Sequence, residues 1–368
     1  MIVMKKTVVF ILISFVFVIV LSFFGDKSIA ENEDIILGQS CALSGPAAAL
    51  GNEYMNGANA YFKEVNDNGG VNGRKIKLIT VDDYYEPDYA VKNTLDLIQN
   101  RKVFAMFGEV GTPTSKAVLP IIEKYKVPFL MPFSGAALLR KPYNKYIVNM
   151  RSSYEHETKA IIEYLVDIKK HRKIAIFYQN DSYGKAGYKG VKKALRGKKL
   201  NLISEGRYRR NTLLIEKALI NILKTKPDAI VLIGAYKPCA TFIKEAKKRS
   251  SKNISFANIS FVGSNALVKE LGTKTDNVII SQVVPLDKSG FIYREGYLGA
   301  KLFVKAIQNT KEPLTRKSLL ASFATLSADC LGADLPLNIE NDKFLGLSKV
   351  FITSYRDGKF IQLMEHKE

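Results

Sequence analysis

The sequence has no tryptophan and only three cysteines and three histidines. Three thiols, Cys41, Cys239 and Cys330, are too few for a disulfide-stapled small fold. They allow one bridge with one thiol left over, in a pairing the sequence leaves open, while three small buried residues is the simpler reading. The histidines, His156, His171 and His366, show no His-Glu-x-x-His spacing, and His156 and His171 fall in or beside an amphipathic stretch where exposure is expected. The sequence also lacks a Gly-x-Ser-x-Gly elbow, a glycine-rich loop ending in Lys-Ser or Lys-Thr, and the glycine fingerprint of a dinucleotide site after the first strand. No metal, cofactor or catalytic group is therefore expected, and the chain reads as a non-enzyme.

Acidic residues are also scarce, 35 against 55 lysines and arginines, for a formal charge of +20 in 368 residues. Such an excess first suggests nucleic acid. The basic residues are instead spread over helix faces, as in Lys192-Lys193, Lys198-Lys199 and Lys247-Lys248-Arg249, with no interleaved aromatics. A solvated basic surface is the reading adopted, able to draw in anionic solutes or to meet anionic lipid, and no nucleic-acid partner is expected.

Long apolar runs are confined to the N-terminus. Lys5 and Lys6 precede an apolar run over residues 7–24, and Ser28-Ile29-Ala30 closes it with small residues. This is the order of a secretory signal cut after Ala30, with an uncleaved anchor as the alternative. Loss of residues 1–30, which carry three Lys and one Asp, leaves +18. Cys41 follows no lipobox. The remainder is expected to be soluble, extracytoplasmic and monomeric.

From residue 35 short apolar runs alternate with longer amphipathic ones, the pattern of parallel strands and covering helices. Strands are expected at 35–37, 76–81, 103–107, 128–131 and 146–150, with helices at 55–65, 88–99 and 114–125. The pattern restarts with strands at 173–178, 201–205, 229–233, 260–262 and 277–282 and helices at 185–195, 214–224 and 239–248. Helices at 296–307 and 316–325 follow, then a strand pair at 349–355 and 359–363 joined at Asp357-Gly358. The fold class is therefore α/β, with two open α/β units in series and no low-complexity linker. Open α/β sheets bind ligands beyond the carboxyl ends of their strands, so two facing edges make a cleft.

Four strand ends carry the chemistry. In Phe107-Gly108-Glu109-Val110-Gly111-Thr112-Pro113-Thr114-Ser115, Thr112 reads as N-cap and Pro113 as the first helical residue, so free N–H groups face outward and suit a carboxylate. A purely structural cap is the alternative. The turn Pro132-Phe133-Ser134-Gly135-Ala136-Ala137 leaves backbone amides open and adds the Ser134 hydroxyl. Tyr183 in Tyr178–Gly184 and Tyr236 after Ile233-Gly234-Ala235 can close over a guest with an apolar face and a polar tip, or simply pack.

Several ordered motifs now coincide: Ile36-Leu37-Gly38-Gln39-Ser40 with Leu43-Ser44-Gly45-Pro46-Ala47, then Gly69-Gly70-Val71-Asn72-Gly73-Arg74-Lys75-Ile76, then Asp82-Asp83-Tyr84-Tyr85-Glu86-Pro87, with Phe261-Val262-Gly263 and Asp357-Gly358-Lys359-Phe360 further on. The chain closely resembles the branched-chain amino-acid-binding (leucine/isoleucine/valine-binding-like) family of periplasmic solute receptors over nearly its whole length. The resemblance implies a type I periplasmic-binding fold: two doubly wound lobes joined by a three-stranded hinge. Lobe 1 would comprise residues 31–152 and about 288–335, and lobe 2 residues 153–287 and about 336–368. It also implies that Thr112 holds a ligand carboxylate, that Ser134, Gly135 and Ala136 form the turn for the α-amino-acid head, that Tyr183 and Tyr236 come from lobe 2, and that Leu50 touches the ligand side chain. The chain departs from the pattern at Gly135, where Thr is common, and at Ser264 and Asn265, where an acidic residue is common. A buried ammonium without a carboxylate is costly. An α-amino acid therefore leads, with a carboxylate, amide or other polar solute as rival. Arg151, at the lobe crossing, can bind an anionic group or form a hinge salt bridge.

The function implied is capture of a small polar solute outside the cytoplasm and delivery to the membrane permease of an ABC importer, closure being the signal. A sensor handing the same closed state to a signalling partner is the alternative, and an exported enzyme is the weakest reading.

Overall fold

The computed structural model describes residue 29 and residues 33–332, 334–340 and 343–366. The expected secretory signal lies outside the described residues, apart from Ile29. Among the described residues no helix is long and apolar enough to cross a membrane.

The first sheet has five parallel strands in the order β2-β1-β3-β4-β5: β1 Ile35–Cys41, β2 Ile76–Asp82, β3 Ala105–Phe107, β4 Phe129–Leu130 and β5 Ile147–Val148. Helices α1 Ala48–Asp67, α2 Pro87–Gln99 and α3 Thr112–Tyr125 link them. β1 and β3 are apolar and almost wholly buried because helices cover both faces of the sheet.

The second sheet has seven strands in the order β14-β13-β10-β9-β8-β6-β7. β6 Ile174–Gln179, β7 Ser204–Tyr208, β8 Ala229–Ile233, β9 Ser255–Asn258 and β10 Val278–Gln282 are parallel. Helices α4 Tyr154–Glu163, α5 Ser182–Gly197, α6 Glu216–Leu223, α7 Tyr236–Arg249 and α8 Ser264–Leu271 accompany them.

After β10 the chain returns to the first lobe. α9 Phe291–Gln308 packs on α1 so closely that a Cβ on Gly57 would lie 1.8 Å from the Tyr293 carbonyl oxygen, and one on Gly296 2.1 Å from that of Tyr54. α10 Arg316–Ser322 is tied to the same lobe by Arg316, which donates to the Phe104 and Val103 carbonyls. A hairpin of β11 Leu337–Glu340 and β12 Lys343–Leu347 also lies there: Phe344 meets Phe323 edge-on, and Leu347 N–H donates to Met150 O at 2.6 Å. β13 Val350–Arg356 and β14 Lys359–His366 then add antiparallel to the second sheet, meeting at Asp357-Gly358 as expected. We propose that the last crossing is at 348–349, later than residue 336.

Three expectations need correction. The strand expected at 260–262 ends earlier, as Ser255–Asn258; residues Ser260–Val262 form a single 3₁₀ turn before Gly263 at φ +83°. The apolar run Ile259-Ser260-Phe261-Val262 is buried between the lobes, which is why it reads like a strand. The cysteines are free thiols, with Cys41 and Cys239 buried but Cys330 only half-buried. His156 and His171, expected on the surface, are half-buried.

Candidate ligand cleft

The carboxyl ends of β3 and β4 supply the first wall. Gly111, not Thr112, caps α3: its φ of +115° is open to glycine and strained for other residues, and a Cβ there would lie 2.3 Å from the Tyr85 ring. Thr112 is thus the first helical residue, and no side chain caps the helix. Freed from that task, its hydroxyl sits 2.8 Å from Ser134 Oγ, both side chains being fully buried. Ser134 Oγ also accepts from Ala136 N–H at 3.3 Å. Thr112, Ser134 and Ala136 are therefore brought together as expected, although the expected cap is not formed.

Gly135 lies in the same turn with a different role. A Cβ on it would meet the Tyr154 ring at 2.5 Å, and its carbonyl accepts from Tyr154 N–H at 2.7 Å. The missing side chain makes room for Tyr154, whose buried hydroxyl lies beside Thr112 and Ser134. Burial raises the Tyr154 pKa against the pull of Arg151 and these two hydroxyls.

The second lobe supplies aromatic residues. Asp181 caps α5 by accepting from Tyr183 and Gly184 N–H, which fixes Tyr183 at the helix start. Tyr183 is wholly buried, donates weakly to Gly234 O at 3.5 Å, and packs on Tyr154 and Phe261 at centroid distances of 5.5 and 4.5 Å. Phe261 reaches across to Phe133 and Tyr85 of the first lobe, at 5.2 and 6.1 Å. Tyr236 opens α7, and Leu50 of α1 faces Gly263 alongside it. Asn265 is not brought into this group. It is exposed at the start of α8, with its amide against Gly290, while buried Ser264 accepts from Gln282 Nε2 at 2.8 Å.

Arg151 lies at the first crossing, 1% exposed, with its guanidinium 4.4 Å from the Phe133 ring centre. Glu157 of α4 and Glu295 of α9 flank it at 3.8 and 3.4 Å, and it donates to Ser260 Oγ. The hinge salt bridge is therefore present, with one acid from each lobe. Burial raises the Glu295 pKa to about 7 despite Arg151, and lowers that of Arg140, which donates to the Ser134, Ala136 and Arg151 carbonyls, to about 10. A second acidic pair, Asp83 and Glu109, is buried at the ends of β2 and β3. Burial raises both, Asp83 to about 7 with added repulsion from Asp82 and Glu86, and Glu109 well above the ordinary carboxyl range with added repulsion from Asp83.

At the cleft mouth Arg210 of lobe 2 donates to Glu86 of lobe 1 at 2.6 Å and to Asp181 at 3.1 Å, and Asn211 donates to Glu86 and the Tyr84 carbonyl. Sequence reasoning did not assign Tyr85, Phe133, Tyr154 or Phe261 to the site. Tyr85 lay within a recognised motif, whereas Tyr154 meets Gly135 only through the tertiary fold.

Two α/β lobes face one another at their strand ends across buried hydroxyls and rings. Residues 34–290 match the family described as periplasmic binding protein, and the chain belongs to that family. It is 27% identical over 154 residues to an amino acid binding protein of Pseudomonas aeruginosa, covering 41% of this chain and 40% of that one. It is 24% identical over 230 residues to Leu/Ile/Val-binding protein homolog 7 of Brucella abortus strain 2308, covering 60% and 57%. The chain thus spans about half the length of these curated relatives. Among solved structures, a possible leucine/isoleucine/valine-binding protein from Rhodopirellula baltica SH 1 superposes with TM-score 0.86 at 32% identity, covering 92% of this chain and 98% of that one. The Streptococcus pneumoniae substrate-binding protein LivJ in complex with isoleucine shares the fold, with TM-score 0.75 at 18% identity and coverage of 90% and 100%.

Proposed function

We propose that this protein is an extracytoplasmic receptor that closes on a small polar solute bearing a carboxylate and presents the closed shape to the permease of an ABC importer. The observation that carries the reading is the buried Thr112–Ser134 hydroxyl pair at the strand ends of one lobe, next to Tyr154 and Phe133, on which Tyr183 and Phe261 of the other lobe pack. A guest held there touches both lobes, so its binding energy favours the closed arrangement over any open one. The relatives' names support a binding role over catalysis. Thr112, Ser134, Ala136, Tyr154 and Tyr183 are the proposed ligand contacts. Arg151 joins the lobes, and Leu50 and Tyr236 line the side toward α1.

A thermal-shift screen against amino acids, carboxylates, amides and polyols tests this. A ligand at a hundred times its Kd adds about 2.7 kcal/mol, or roughly 4 °C in a chain of this size. A flat response to every class would refute the receptor reading.

A further inference from the structure

The cleft contains more hydrogen-bond donors than the protein itself satisfies. Tyr154 is 1% exposed, and its hydroxyl, although beside Thr112 and Ser134, makes no aligned hydrogen bond with a protein atom. Three residues earlier, Arg151 leaves Nε and Nη1 without an aligned acceptor. Its guanidinium lies on the ring of Phe133, the neighbour of Ser134. Buried donors left open this way are costly unless a guest completes them.

On the acid side, Glu109 leaves both carboxyl oxygens without an aligned partner, and burial together with the nearby Asp83 raises its pKa well above the ordinary carboxyl range, toward the neutral form that does not pair with a cation. Glu157 and Glu295 flank Arg151, and Glu157 Oε2 already accepts from Ser260 N–H and Ser281 Oγ. Asp83 at the end of β2 already accepts from Ser40 Oγ and Tyr85 N–H. From the second lobe, Glu157 is engaged by Arg151, Ser260 and Ser281, Asp181 by Arg210 and the Tyr183 N–H, and Asn265 is turned out to Gly290. An ammonium beside the Thr112–Ser134 pair would face the Arg151 charge, whereas a carboxylate there would face hydroxyl, guanidinium and N–H donors. The rest of the enclosure is apolar or aromatic: Leu50, Phe133, Tyr183, Phe261.

Resting on the receptor reading, we propose that Tyr154 is a specificity-determining ligand contact, and that the guest it selects is a carboxylate with an apolar tail and no α-ammonium group. Gly135 is the structural partner of this arrangement, since any side chain at that position would displace the Tyr154 ring.

The test compares matched carbon skeletons by titration calorimetry on the purified protein: 4-methylpentanoate, its 2-oxo acid, its amide and L-leucine. The wild type is expected to bind one of the two acids at least tenfold more tightly than L-leucine or the amide. Tyr154→Phe, which keeps the ring on Gly135, is expected to lose about tenfold for that acid and little for the amide. L-leucine binding as tightly as or more tightly than both acids, or Tyr154→Phe binding the acid unchanged, overturns the inference while leaving the receptor reading intact. Failure of all four probes to bind contradicts the inference, and the receptor reading falls with it only if the broader screen is also flat. The wild-type ranking needs no variant to fold.

Discussion

Thr112 shows how one backbone angle frees a side chain for function. Because Gly111 takes the left-handed cap, the Thr112 hydroxyl points at Ser134 rather than at its own helix. Thr112→Val keeps the shape and removes the hydroxyl. Since a hydrogen bond to a charged group contributes about 1.5–3 kcal/mol, affinity for a carboxylate guest should fall roughly 10- to 100-fold in calorimetry, with the fold intact. Titration of buried acids gives a second residue-scale expectation. Asp83 and Glu295 have folded pKa values raised to about 7. Their unfolded values are near 4, so the folded state binds the extra protons. Their contribution to stability is present below pH 4 and is lost as pH rises through 7. The free energy of unfolding should therefore fall between pH 5 and 8, by on the order of 3 kcal/mol per group at most. Asp83→Asn should flatten that slope, as denaturant melts at several pH values can check. At this scale the sequence was partly legible. Thr-Pro at a helix start after a buried strand marked Thr112, and small residues marked the Ser134 turn. The Gly111 cap was missed because Thr is also a good cap, and Tyr154 because its partner Gly135 lies across the lobe crossing.

Elements were read from periodicity, and it succeeded wherever burial followed the period of a strand or helix. β8 matches its expected bounds, residues 229–233, α2 and α3 extend theirs by one or two residues, and α1 begins seven residues before its expected start. It failed at 260–262, where an apolar run is buried by the opposite lobe rather than by sheet pairing. No local pattern separates those two kinds of burial. The α1–α9 contact depends on bare backbone at Gly57 and Gly296. Gly57→Ala should force the helices apart and lower stability by about 1–3 kcal/mol, read as a lower melting temperature. Ligand affinity below that temperature should change little, because neither glycine reaches the cleft.

At the scale of the whole molecule, the two lobes were legible because the strand–helix pattern restarts after residue 150, and both sheets form as that restart implied. The hinge was legible in part: Arg151 was placed at the lobe crossing with a hinge salt bridge as one of its two roles, but its partners Glu157 and Glu295 were not, because they come from different lobes and far-apart stretches of chain. Closure is held at the mouth by Arg210, Asn211 and Glu86. Arg210→Ala should shift the population toward open forms, seen as a larger radius of gyration in small-angle scattering without ligand. Saturating ligand should restore the wild-type value, because the guest's own contacts supply the missing preference. The central claim, that a guest is trapped between the lobes against hydroxyl donors, is tested most directly by a crystal structure with bound solute. A guest oxygen is expected within hydrogen-bond distance of Thr112 Oγ1 and Ser134 Oγ, on the side facing Tyr183. Solute density on an outer surface, with the space beside Thr112 filled by Phe261 and Tyr154 alone, would contradict it.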